Sequence, residues 1–220
     1  MQKRVVMAND TLWQDEYWLL LMQLYLKKPA GVKPLYSRQL VDLSMELHIP
    51  PHVLREKMFK LRSLDEPRIE KLWNTYAKNP QKLSRGIKKL RQMKGFSNAE
   101  EFYEGVELNE SFEKYFRPLA ERPELKPVML VMILNLYFQL TPITMVEETP
   151  EIQQLAKKMK IKPGVVVEVM DIYQIFDPYL KREEMIFSSL LGPCQKVWQR
   201  FGNDNPEELS ALAGQLIEYF

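Results

Sequence analysis

Apolar residues along the chain recur mostly at three- and four-residue spacings, the period of helices that bury one face. The first such stretch runs from Leu12 to about Lys28, and a second from about Pro127 to Leu140. The run from Val128 to Leu140 is the most apolar, but Asn135 and Gln139 interrupt it. A bilayer span needs about 20 residues, so this stretch reads as a buried core helix and no membrane association is expected. Further helices are predicted after the N-cap-type residues Ser37 and Thr149, with apolar positions at Leu40, Leu43 and Leu47 and at Ile152, Leu155 and Met159. Pro51 and Pro163 sit where a first helical residue belongs, since the missing N–H would have no partner there. The helices they open run to Leu64 and Phe176. Another pair opens after Asn79-Pro80 and Asn205-Pro206, with Leu83, Ile87 and Leu90, or Leu209, Ala213 and Leu216, on one face. No stretch alternates at period two, so the fold class is all-α.

These parallels extend to residue identity. Shifted by 112 positions, Leu24–Asp65 aligns with Leu136–Asp177 without a gap, and nine pairs are identical. They include Tyr25/Tyr137, Leu43/Leu155, Ile49/Ile161, Pro51/Pro163, Glu56/Glu168 and Met58/Met170. A second block, Trp73, Tyr76, Asn79-Pro80 and Leu83-Ser84, matches Trp198, Phe201, Asn205-Pro206 and Leu209-Ser210. The expected organisation is two diverged copies of a four-helix unit, each with a tri-helical core. The first spans 1–97 and the second 124–220, joined by an acidic, partly helical linker at 98–123.

Within each copy, Leu40-x-x-Leu43-Ser44-x-x-Leu47-x-Ile49 with Leu54, and Ile152-x-x-Leu155-Ala156-x-x-Met159-x-Ile161 with Val166, resemble the helix-turn-helix of bacterial DNA-binding proteins. A small residue, Ser44 or Ala156, lets two helices cross closely while Leu, Ile and Val fill the wedge between them. Two positions depart from that pattern. The turn residue that is usually glycine is His48 or Lys160, so a left-handed turn would be strained and another geometry is open. Lys57 stands at a normally apolar position where the second copy has Val169. More widely, Trp18–Met22, Leu140–Val146 and Asp177–Leu180 resemble motifs of a family of helical bacterial proteins. That resemblance implies a cytoplasmic helical protein and carries no activity or site residues. The first copy also resembles helical specificity domains that precede some bacterial nucleases, although no nuclease motif follows it.

Composition narrows the picture. Of 220 residues, 45% are hydrophobic and 27% charged, which places the chain among globular proteins. Cys194 is the single cysteine, so no intrachain disulfide forms and a reducing, cytoplasmic setting is expected. The first ten residues lack the apolar core of a signal peptide. Net charge is only +2, yet residues 1–96 hold 19 Lys and Arg against 9 Asp and Glu, whereas residues 97–220 hold 12 against 20. The densest cationic run is Lys78, Lys82, Arg85, Lys88, Lys89, Arg91 and Lys94, with no acid among them and Gly95 expected to close its helix. Such a helix suits nucleic acid or an acidic protein face, and without bulky aromatics it is a poor membrane anchor. Glu100, Glu101, Glu104, Glu107, Glu110 and Glu113 form an acidic counterpart that could cover it.

Catalytic signatures are weak. His48 and His52 are separated by Pro50-Pro51 and lack a cysteine nearby, so no metal is expected. Cys194 follows Gly192-Pro193 without an evident base and reads as a packed residue. Few glycines and no glycine-rich cluster leave no phosphate-cradling loop, and no cofactor is expected. Trp73 and Trp198 read as core anchors. The chain is therefore expected not to be an enzyme.

Two functional readings follow. The first is a DNA-binding or DNA-associated regulatory protein acting through the first copy, with double-stranded DNA as partner. Its candidate residues are Arg38, His52, Arg55, Lys60 and Arg62 around the third helix, and Lys82, Arg85, Lys88, Lys89 and Arg91 on the basic helix. The second is a non-enzymatic scaffold in which both copies are structural and the second copy binds a protein partner or itself.

Overall fold

In a computed structural model, residues 13–96, 112–180 and 187–220 are described. Leu12 and the acidic positions Glu100 to Glu110 lie outside them. The described residues form α-helices and short 3-10 turns and contain no strand. The chain divides into two compact units, Met1–Ser111 and Phe112–Phe220.

The first unit contains α1 (Trp18–Leu26), α2 (Arg38–Leu47), α3 (Pro51–Ser63), α4 (Pro67–Tyr76) and α5 (Pro80–Arg91). Trp18, Leu20, Leu21, Met22 and Leu24 are all buried, so α1 has apolar neighbours around most of its circumference and packs on α3, α4 and α5. It ends at Leu26, where Lys27 turns to an extended conformation two residues ahead of Pro29. The buried Lys33 ammonium then donates to the carbonyls of Lys27 and Pro29, tying down the loop that follows. Burial and the neighbouring Lys27 lower the Lys33 pKa.

The second unit contains α6 (Pro127–Tyr137), α7 (Pro150–Met159), α8 (Pro163–Phe176), α9 (Leu191–Phe201) and α10 (Pro206–Leu216). Of the residues of α6, only Pro127 and Asn135 are not buried, and α7, α8, α9 and α10 all pack against it. Trp198 is buried among the rings of Tyr137, Phe138, Tyr173 and Phe176. The buried hydroxyl of Tyr173 donates to the carbonyl of Leu130 at 2.9 Å. Residues 112–123, read from the sequence as linker, belong to this unit: Phe116 is buried, with its ring 5.2 Å from that of Tyr219.

Among the described residues each unit thus has five α-helices, not four. The addition is α4 or α9. In α4 only Ile69 is fully buried, while Leu72, Trp73 and Tyr76 at helical spacing from it are half-buried against the core. Proline occupies the first helical positions of α3 and α8, as the sequence requires, and Asn79 and Asn205 cap α5 and α10 through their side-chain oxygens.

Candidate nucleic-acid interface

The α2–α3 pair is held by its turn. Leu40, Val41, Leu43, Ser44 and Leu47 are buried along α2, and Val53, Leu54, Met58 and Leu61 along α3. His48 takes a left-handed conformation, with φ 55°. The Ile49 N–H then reaches back to the Ser44 carbonyl at 3.1 Å, the six-to-one bond of a helix stop that normally uses glycine. The α7–α8 turn has the same geometry: Lys160 has φ 59° and Ile161 bonds Ala156 at 3.0 Å. A left-handed residue with a Cβ costs roughly 1 kcal/mol. Burial of Ile49 and the returned hydrogen bond offset that cost in the first unit. The left-handed geometry is adopted in spite of the absent glycine.

On α3, His52, Glu56, Lys60 and Arg62 are exposed. Arg55 is half-buried; its guanidinium lies 5.3 Å from the ring centre of Phe59, and its Nε is buried without a partner among the described residues. Lys60 is 3.8 Å from Glu66, both half-exposed, a pair of little energetic consequence. Lys57 tolerates its normally apolar position because its ammonium rests 5.0 Å over the ring of Trp13. Arg38 is exposed in the first turn of α2, where the helix end disfavours a cation.

The α5 helix sorts its residues cleanly. The Asn79 side chain accepts from the Lys82 N–H at 3.0 Å, and Leu83, Ile87 and Leu90 are buried. Lys82, Arg85, Lys88 and Lys89 are exposed on the remaining surface, with the Lys82 ammonium 5.3 Å over Tyr76. None of the four has an ion-pair partner among the described residues. Arg91 differs: it grips Glu46 of α2 in a two-pronged pair, at 2.6 and 2.9 Å. That hydrogen bonding raises the Arg91 pKa still further above its ordinary value. The α2 and α5 helices thereby flank an open groove of about 770 Å³ over α1, with Leu20, Leu24, Leu43 and Leu83 in its lining. Gly95, expected to close α5, adopts a left-handed φ of 88° beyond the helix, which already stops at Arg91.

In the second unit the residue matching Glu56 is Glu168, and Arg122 claims it through bonds of 2.9 and 3.0 Å while also holding Glu124 at 2.6 Å. These bonds, those to Glu168 first, raise the Arg122 pKa. Cys194 is fully buried, and burial pushes its thiol up to about 12. Sequence reasoning passed over one feature here. Lys157, Lys158, Lys160 and Lys162 are all exposed around the α7–α8 turn. Its signal, the run Lys-Lys-Met-Lys-Ile-Lys without an acid, is present in the sequence but disappears in the acidic average of that half.

Among the described residues, no group of three His, Cys, Asp or Glu side chains is placed to hold a metal ion, and no helix is long and apolar enough to cross a membrane. Comparison with known proteins finds no matching family, no matching curated protein and no matching solved structure.

Proposed function

We propose that the protein binds double-stranded DNA through its first unit and acts as a DNA-associated regulatory protein. The observation that carries this reading is the exposed cationic face of α5, where Lys82, Arg85, Lys88 and Lys89 stand opposite the buried Leu83, Ile87 and Leu90 without acidic partners among the described residues. Ammonium and guanidinium groups on a rigid helix suit phosphate, and the release of condensed counterions supplies the affinity. The α2–α3 pair would add a helix with His52, Glu56 and Arg62 on its exposed side, the arrangement by which helix-turn-helix proteins read a major groove. Arg91 is left out of the phosphate-binding set, because Glu46 already neutralises it. We further infer that the two units descend from one ancestral unit: their turns match in geometry, and Met58/Met170 and Leu40/Ile152 are fully buried in both.

The test is fluorescence anisotropy of the full chain with a mixed-sequence duplex between about 50 and 200 mM salt. Replacing Lys82, Arg85, Lys88 and Lys89 by Gln removes four cations and should reduce the slope of log K against log salt by roughly 3.6. Absence of duplex binding by the unaltered protein at about 50 mM salt, or an unchanged slope in the variant, rejects the reading. A second reading, a protein-binding scaffold, draws on the second unit, where Phe138, Val146 and Ile143 are exposed, the last at 88%. Light scattering that returns a strict monomer without a co-purifying partner removes it.

A further inference from the structure

The four lysines at the α7–α8 turn are not explained by the fold around them. Lys157 and Lys158 lie in the last turn of α7, where the negative end of the helix favours cations. Lys160, the C-cap of α7, shares that end, whereas Lys162 has no such support. Lys160 carries its side chain on a left-handed residue, and Lys162 is the N-cap of α8, where a cation meets the positive end of a helix. The first unit builds the same backbone turn with Met45, Glu46, His48 and Pro50 at the corresponding positions. The turn therefore does not require cations. None of the four lysines has an ion-pair partner among the described residues. The acid that stands against this turn is Glu147, whose carboxylate oxygen lies 2.7 Å from where a Cβ on Gly164 would stand. No hydrogen bond or ion pair joins it to any of the four lysines among the described residues.

We infer that this lysine turn is a second phosphate-binding surface, taking the phosphodiester backbone of a nucleic acid. Four cations within six consecutive residues match a chain that carries one charge per roughly 3.4 Å of each strand. The tight turn fixes the backbone that presents them. The surface contacts backbone and not base edges, because lysine at a turn supplies point charges without a planar fork. This inference rests on the reading of the first unit as a DNA-binding element, since it assigns the second unit a share of the same ligand.

The experiment compares the full chain with a variant carrying Lys157→Gln, Lys158→Gln, Lys160→Gln and Lys162→Gln, using the same duplex and salt series. The expected result is a slope lower by roughly 3.6, so that the affinity lost between 50 and 200 mM salt shrinks on the order of a hundredfold. The corresponding Lys→Arg variant should keep the slope, which separates lost charge from lost folding. An unchanged slope in the Gln variant, alongside a reduced slope in the α5 variant, overturns this inference and leaves the first unit's role intact. If the unaltered protein binds no duplex, the first unit's reading fails and this one with it. Co-sedimentation with vesicles containing about 30% phosphatidylserine supplies the other arm. Loss of vesicle binding in the Gln variant, with its duplex slope intact, would assign the turn to a membrane surface and overturn the inference.

Discussion

Ser44 gives the sharpest energetic test of the first unit. Its side chain is fully buried at the crossing of α2 and α3, and its hydroxyl has no hydrogen-bond partner among the described residues. A buried hydroxyl without a partner costs about 1–3 kcal/mol relative to the solvated chain. Ser44→Ala removes that oxygen and adds helix propensity worth about 0.5 kcal/mol. The void it leaves is roughly 10–15 Å³, a penalty of about 0.3 kcal/mol. Stability should therefore rise by about 1–3 kcal/mol. For a unit of this size, that corresponds to an increase in Tm of roughly 5–15 °C. The second unit supplies the converse experiment, because Ala156 stands at the matching position with 1% exposure. Ala156→Ser places a hydroxyl in an apolar wedge and should lower that unit's stability by about 1–3 kcal/mol. Calorimetry of both variants checks the pair. Neither substitution touches an exposed cation, so duplex affinity should stay constant. A Ser44→Ala protein that melts at or below the parent temperature would show that the hydroxyl is satisfied, and would refute the reasoning.

Two further predictions test the turn and the buried thiol. Lys160→Gly should stabilise the second unit by about 0.5–1 kcal/mol, because glycine adopts the left-handed conformation without the Cβ penalty. The same variant should lose about one unit of salt slope in duplex binding, so stability and affinity move in opposite directions. A loss of stability measured by denaturant titration would contradict the assigned turn geometry. Cys194 makes a prediction about alkaline pH. Its folded thiol pKa is raised to about 12 from an ordinary 9, by burial first and by the Glu168 charge second. Above pH 9 the unfolded thiol loses its proton while the folded one keeps it, so the folded state binds more protons and stability falls as pH rises. The slope should be about −1.4 kcal/mol per pH unit between roughly pH 9.5 and 11.5. Tyr173, whose pKa burial also raises, steepens the fall above pH 10. Denaturant melts across this range should show a flatter profile for Cys194→Ala; an identical profile would contradict the burial argument.

Much of the fold is legible because it depends on local rules. Pro51, Pro163, Pro80 and Pro206 announce helix starts through a missing N–H, and Asn79 and Asn205 announce them through a side-chain oxygen. The core positions follow from spacing alone: Leu83, Ile87 and Leu90 are buried where their period puts them. What escapes is set by tertiary partners. Arg91 belongs to the cationic run in sequence, but its charge is spent on Glu46, 45 residues away. Arg55 reads as a free guanidinium until the ring of Phe59 appears beneath it. The signal for α4 is local as well: Ile69, Leu72, Trp73 and Tyr76 recur at three- and four-residue spacing and pack on the core.

The lysine turn is a different kind of omission, one of scale. A balance of charges over residues 97–220 describes that half as acidic, with 12 cations against 20 anions. A phosphate group does not sense that balance, because physiological salt screens charges beyond about 8 Å. At that scale the relevant quantity is the local set, to which the turn contributes Lys157, Lys158, Lys160 and Lys162. By that measure the acidic half carries a basic site. The same rule bears on α5, where Arg91 and Glu46 cancel at short range and the four cations Lys82, Arg85, Lys88 and Lys89 remain. Among the described residues, four exposed cations without an ion-pair partner stand together on α5 in the first unit and four at the α7–α8 turn in the second. If the two units descend from one ancestor, the cationic surfaces arose at different places on a shared scaffold, and each can be removed without disturbing the other. The two Gln variants should then lower the salt slope independently, and together by the sum of their separate effects.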